Sequence, residues 1–166
     1  ADGSNVRKLV DEEFWATMAH TWGPDEGQIT FYRPTSDVTG ELVILDVANP
    51  GTQRFLYEGG LVYSPPVWSP DASRLAVCWR EGRNPLDLYV IDAEGQAAVR
   101  LTEDARSGDV AWSPDGRELV YLRGSTVYVI RRDGSRRRAA VLNAGNPRNV
   151  TWSPDGRVLA LSSGAV

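Results

Sequence analysis

Few residues in this 166-residue sequence are equipped for chemistry. His20 is the single histidine, and so the one side chain whose ordinary pKa lies near neutrality apart from a perturbed thiol or amine. As a general base it needs a nucleophile and an orienting acid beside it. The strand-turn-helix serine motif Gly-x-Ser-x-Gly does not occur. As a metal ligand it needs partners, and there is no second histidine and no cysteine pair. A carboxylate-only calcium site stays open, although no EF-hand spacing is present. No catalytic residue, cofactor or metal ligand is therefore expected. Cys78 is the only cysteine. It lies in an apolar run, which predicts an inert buried thiol and rules out an internal disulfide.

The densest charge lies in Arg131-Arg132-Asp133-Gly134-Ser135-Arg136-Arg137-Arg138, with five arginines in eight residues. Asp-Gly inside it predicts a hairpin turn. Two readings fit. The arginines can be a solvated rim that guards an edge strand against pairing. They can also meet an anionic partner: a protein, a lipid head group or a polyanion. Aromatic residues do not interleave with them, so a nucleic-acid surface is not expected.

These residues sit on a repeat. Trp68-Ser69-Pro70-Asp71, Trp112-Ser113-Pro114-Asp115 and Trp152-Ser153-Pro154-Asp155 are copies, and Trp22-Gly23-Pro24-Asp25 is a worn fourth. The tryptophans lie 46, 44 and 40 residues apart. A period of about 40–45 residues with four short strands per unit is the signature of a β-propeller blade. The fold class expected is all-β, with four-stranded antiparallel blades. One blade spans about 19–57, the next about 65–102, the third about 109–142, and a partial blade about 149–163. The third reads as strands over 109–112, 118–122, 126–130 and 137–142, separated by Ser-Pro-Asp-Gly, Arg-Gly-Ser and Asp-Gly turns whose residues suit them. Residues 2–10 align with a C–D turn plus a strand D, like Gly95 to Thr102. The order is thus D, three complete blades, then strands A and B.

Within this frame Trp22, Trp68, Trp112 and Trp152 are structural, each packed between blades where a large aromatic buries most area. Asp25, Asp71, Asp115 and Asp155 bond turn backbone. A functional residue should break the repeat, because a site is one place in a pseudo-symmetric ring. His20 breaks it, standing where the other copies have Pro66, Val110 and Val150. The arginine hairpin breaks it as well. So does Phe14-Trp15-Ala16-Thr17-Met18, an apolar segment where the equivalent connection is polar. That segment either fills the gap between first and last blades or offers Phe14 and Trp15 to a partner. His20 otherwise belongs in the inter-blade core or at the channel.

Two architectures remain open. The N-terminal strand can pair with the last hairpin and close a four-bladed ring, with one three-stranded blade. Otherwise the ends present unpaired edges, to be completed by further blades or by self-association. Bulk properties are those of an ordinary globular domain, with 42% hydrophobic and 24% charged residues. No run approaches the roughly 20 apolar residues that span a bilayer. Ala1-Asp2-Gly3-Ser4 carries no leader pattern. The net charge of −4 divides into −6 over residues 1–60 and +2 over 61–166, too thin for a nucleic-acid binder.

The pattern Trp152-Ser153-Pro154-Asp155-Gly156-Arg157-Val158-Leu159-Ala160, and the stretch Leu88-Tyr89-Val90-Ile91-Asp92 leading to Arg100-Leu101-Thr102, resemble the TolB-like propeller repeat across roughly residues 1–163. Ala72 stands in for a turn glycine, and Gly23 and Glu26 for the first Ser and Gly, which predicts strained or bulged turns there. The resemblance implies a non-enzymatic module that binds protein or another ligand on its propeller face, in a periplasmic or extracellular setting. It implies, as the alternative, an accessory or gating propeller of a larger enzyme such as a prolyl-oligopeptidase-type peptidase. A polysaccharide lyase is a weaker third reading, because a single histidine is poor equipment for it.

Overall fold

The computed structural model describes residues 6–10, 19–25, 27–62, 64–82, 84–103 and 109–163. Every element in them is a β-strand. The first sheet is an antiparallel meander of β1 (His20–Trp22), β2 (Gln28–Pro34), β3 (Gly40–Asp46) and β4 (Gln53–Gly59). The second contains β6 (Val67–Trp68), β7 (Arg74–Arg80), β8 (Asp87–Asp92) and β9 (Ala98–Arg100), with β5 (Leu61–Val62) also paired to β7. The third is β10 (Val110–Trp112), β11 (Glu118–Arg123), β12 (Thr126–Arg131) and β13 (Arg138–Val141). The last is the pair β14 (Pro147–Trp152) and β15 (Leu159–Ser163).

Strand A of the second blade is split, which the sequence did not foretell. Leu61 and Val62 face Arg80 and Trp79, and Val67 and Trp68 face Ala76 and Leu75. Pro65 and Pro66 lie between the two pieces and have no N–H for the ladder.

The second and third sheets are buried on both faces because their side chains alternate between two neighbours. Tyr32, Leu42, Ile44 and Leu56 of the first blade pack against Leu75, Val77, Trp79 and Ile91 of the second. Ala76, Cys78, Leu88 and Val90 point the other way, onto Val110, Trp112, Leu119 and Tyr121 of the third. Val120, Leu122, Val127 and Val129 then meet Val150, Trp152 and Leu161 of the last pair. The sheets are therefore stacked in chain order.

The Ser-Pro-Asp turn locks itself in the same way three times. In the third blade the Ser113 hydroxyl donates to Asp115 at 2.6 Å, Arg117 N donates to the same carboxylate at 3.1 Å, and Glu118 N donates to Ser113 Oγ at 2.9 Å. Ser69 and Asp71 repeat this, as do Ser153 and Asp155. The worn copy has no hydroxyl at Gly23, and Asp25 keeps one long contact, from Gly27 N at 3.4 Å. Gly116 and Gly156 take φ of 66° and 70° at the left-handed position, and Ala72 is forced to 59° there.

Two expectations are corrected. Residues 6–10 form no strand, so the expected strand D is not formed over them, and Asp2–Asn5 lies outside the described residues. Leu9 and Val10 instead pack on the first blade, against Phe31, Val43 and Leu45. Among the described residues β15 pairs with β14 alone. The second correction concerns Trp22, which is 57% exposed. Trp68, Trp112 and Trp152 each reach the sheet before them. Trp22 points to the opposite side of blade one, where no described sheet lies.

Candidate functional site

One rim of the stack carries both the A–B turns and the C–D hairpins. A single backbone hydrogen bond joins the two in each blade: Val47 N to Gly27 O, Ala93 N to Ser73 O, and Arg132 N to Arg117 O. This fixes an equivalence among Val47, Ala93 and Arg132, and hence among Asp46, Asp92 and Arg131 just before them. The hairpin closures agree, with Gly95 N bonded to Asp92 O and Gly134 N to Arg131 O.

In two blades that leading residue is an aspartate that caps its own turn. Asp46 accepts from Ala48 N at 2.8 Å and Asn49 N at 3.2 Å, and Asp92 accepts from Glu94 N at 2.8 Å. In the third blade the task has moved to Asp133, which accepts from Ser135 N at 2.8 Å. The position so released holds Arg131. Arg132 replaces buried Ala93, and Arg117 replaces Ser73. A surface cavity of about 480 Å³ lies here, lined by Asp115, Arg117, Glu118, Arg131, Arg132 and Asp133.

The charges in this cavity are not equally available. Ser113 holds the Asp115 carboxyl below the usual range by hydrogen bonding, and Ser135 does the same for Asp133. The two-pronged bond from Arg138, at 2.6 and 2.9 Å, lowers Glu118. All three acids are thus ionised at neutral pH and committed within the chain. The side chains of Arg132 and Arg136 have no hydrogen-bond or ion-pair partner among the described residues. The Arg131 side chain has only the longer-range attraction of Glu118 and Asp133 among the described residues. Arg117 approaches Asp115 no closer than 3.9 Å, with its side chain 81% exposed.

The structure disperses the remaining candidates. His20 is exposed on β1, across from Phe31. Phe14 and Trp15 lie outside the described residues. Arg137 lies over the Tyr128 ring, 5.2 Å from its centre, and Arg138 is paired with Glu118. Arg136 sits in the left-handed region at φ 52°. The hairpin's five arginines therefore divide into two that brace the sheet and three that face solvent. Among the described residues no three His, Cys, Asp or Glu side chains gather as a metal site.

Sequence reasoning missed Trp79, which is sandwiched between Tyr57 at 4.5 Å and Tyr89 at 4.1 Å and is 1% exposed. The signal was present, since its equivalents in the other strands B are Arg33, Arg123 and Ser163. It also missed Arg117 and Glu118 as partners of the hairpin.

Four-stranded antiparallel meanders, stacked face to face with an indole reaching back from strand A, define a β-propeller repeat. The chain belongs to the TolB β-propeller domain family, whose model matches residues 1–165. It is 36% identical over 107 residues to the Tol-Pal system protein TolB of Anaeromyxobacter dehalogenans, a match covering 62% of this chain. The chain spans 23% of that protein's length. In structure it is similar to a protein of Agrobacterium tumefaciens described as TolB, with a TM-score of 0.72 and 22% identity, over 86% of this chain and 52% of that one. It is also similar to oligogalacturonate lyase of Vibrio parahaemolyticus, with a TM-score of 0.68 and 15% identity, over 90% and 47% of the two chains. These structural likenesses establish the fold alone, and a fold does not by itself fix a function.

Proposed function

We propose that this chain is a non-enzymatic protein-binding module, a rigid arc of propeller blades that docks another protein on its loop-bearing rim. The observation that carries this reading is the third blade. There the repeat abandons Asp, Ala and Ser for Arg131, Arg132 and Arg117 in one cavity, with no gain visible for the blade's own turn. A solvent-facing cluster that breaks a structural repeat is what a binding site on a scaffold requires. The relative's name places that protein in the Tol-Pal system, which favours a role within a protein assembly and, with it, a periplasmic setting. The reading calls for no cofactor.

The test combines turnover with association. The purified chain is assayed on chromogenic peptides and on oligogalacturonate. It is also used as bait on a periplasmic extract, and each captured protein is purified and titrated against it. The expected outcome is no turnover and a saturable 1:1 complex. Turnover of either substrate class, or no protein that saturates, contradicts the reading.

A further inference from the structure

We infer that the cavity between the third blade's A–B turn and C–D hairpin receives a carboxylate-bearing, extended segment of the partner protein. This deepens the binding reading above and rests on it. Three arginines, Arg117, Arg131 and Arg132, line the cavity, and among the described residues their one side-chain ion pair is the 3.9 Å approach of Arg117 to Asp115. A guanidinium presents paired donors that match a carboxylate's two oxygens. Asp115, Glu118 and Asp133 line it as well, but each is already held by chain donors. The local field is therefore set by arginines spaced among fixed negative charges.

That mixture selects between kinds of anion. A dense polyanion, whether polyphosphate or a charged lipid surface, would press against the three carboxylates wherever it met the arginines. Single carboxylates spaced along a polypeptide can meet the arginines one by one. Beside the cavity runs β13, which starts at Arg138, the residue that grips Glu118. Among the described residues it pairs with β12 alone, so its outer edge offers backbone donors and acceptors. Ala139 and Ala140 along it are exposed and small. An acidic strand added there would deliver alternate side chains to the cavity's mouth.

The other blades serve as internal references. Asp46 and Asp92 put a negative charge where blade three puts Arg131, so an acidic segment is disfavoured at both. The site is thus unique within the stack, although the backbone is the same at each blade.

The test is fluorescence anisotropy with a labelled peptide that alternates Glu and Thr. A Gln-Thr peptide, inorganic tripolyphosphate and phosphatidylserine-containing vesicles serve as the other arms, at about 0.01 M and about 0.15 M salt. The whole chain is compared with Arg117→Ser/Arg131→Gln/Arg132→Ala, which restores two of the second blade's residues. Lys8→Gln/Arg148→Gln/Arg157→Gln removes the same charge elsewhere. The triple cavity variant should bind the Glu-Thr peptide at least about tenfold more weakly, and the control within about twofold, with equal melting temperatures. If the triple variant melts early, the exposed single variant Arg132→Ala replaces it, with an expected loss of about threefold. Equal binding by parent and cavity variant overturns the inference, as does tighter binding of tripolyphosphate or vesicles than of the peptide. A purified protein partner that binds the cavity variant undiminished sinks this inference but leaves the module reading standing. Failure of the parent to bind any protein sinks that reading itself.

Discussion

Glu118 and Arg131 face each other across β11 and β12 in the register that sets Arg74 against Asp92 one blade earlier. The cross-strand pair keeps its opposite charges and reverses their order. Reversal costs the sheet nothing, since either order is attractive. Its effect lies at the rim, where a capping carboxylate becomes a guanidinium. The same scaffold position thereby changes from a negative to a positive charge.

The repeated indoles are not equivalent, and stability should report it. Trp112 is 7% exposed and its Nε1 donates to Val67 O at 2.9 Å, across the blade boundary. Trp112→Phe should lower stability by about 1–2 kcal/mol in urea unfolding. Trp22→Phe, at a 57% exposed position, should change it by less than about 0.5 kcal/mol. Equal losses at both sites would mean that Trp22 is packed as tightly as Trp112.

Ala72 adopts the left-handed conformation that Gly116 and Gly156 adopt in the sister turns. Ala72→Gly should therefore raise stability by about 0.5–1 kcal/mol, a gain of sign opposite to most glycine substitutions. Gly116→Ala should cost a similar amount. A methyl there would meet Pro70 Cδ at an ordinary 3.7 Å, so conformation and not crowding sets the loss. A loss on making Ala72→Gly would contradict this account.

The turn carboxylates predict an acid limb. Hydrogen bonds from Ser69 and then Ser73 pull Asp71 down to about 2 from its ordinary 3.8. Asp115 and Asp155 are lowered by the hydroxyls of Ser113 and Ser153. A carboxyl depressed in the folded state binds fewer protons there than when unfolded. Its contribution is complete above about pH 4 and is lost as pH falls toward about 2. Melting temperatures followed through that window should fall less steeply for Asp71→Asn than for the parent. Parallel curves would show that Asp71 does not contribute.

Cys78 tests the packing between the second and third blades. Burial pushes its thiol up to about 12, with Asp109 and Asp87 adding to the rise. Native protein should not react with a thiol-specific dye at pH about 8 and should react fully in denaturant. Rapid native labelling would mean that the two sheets separate readily.

Much of this fold was legible because the repeat is enforced by local chemistry. Trp-Ser-Pro-Asp-Gly closes a turn with its own side chains, so Ser113 and Asp115 announce strands on either side. What stayed hidden depended on partners distant in sequence. Leu9 and Val10 follow Val6-Arg7-Lys8 in a short segment that reads as a strand, and only the apolar side chains of Phe31, Val43 and Leu45, far away in sequence, explain why they pack there without pairing. Trp79 became visible as a wedge only once Tyr57 and Tyr89 were brought beside it. In the arginine hairpin, the run of five arginines hides which of them stands in the place of Asp92. The backbone bond from Arg132 N to Arg117 O restores the correct equivalence and draws Arg117 into the site.

Hydrogen exchange with mass readout, on the chain alone and saturated with its purified protein partner, bears most directly on where function resides. The account predicts slowed exchange over residues 115–118 and 131–141, with the matching turns of the first two blades at 25–28, 46–49, 71–74 and 92–95 unchanged. Protection spread evenly over all three rims, or confined to the first two blades, would contradict it.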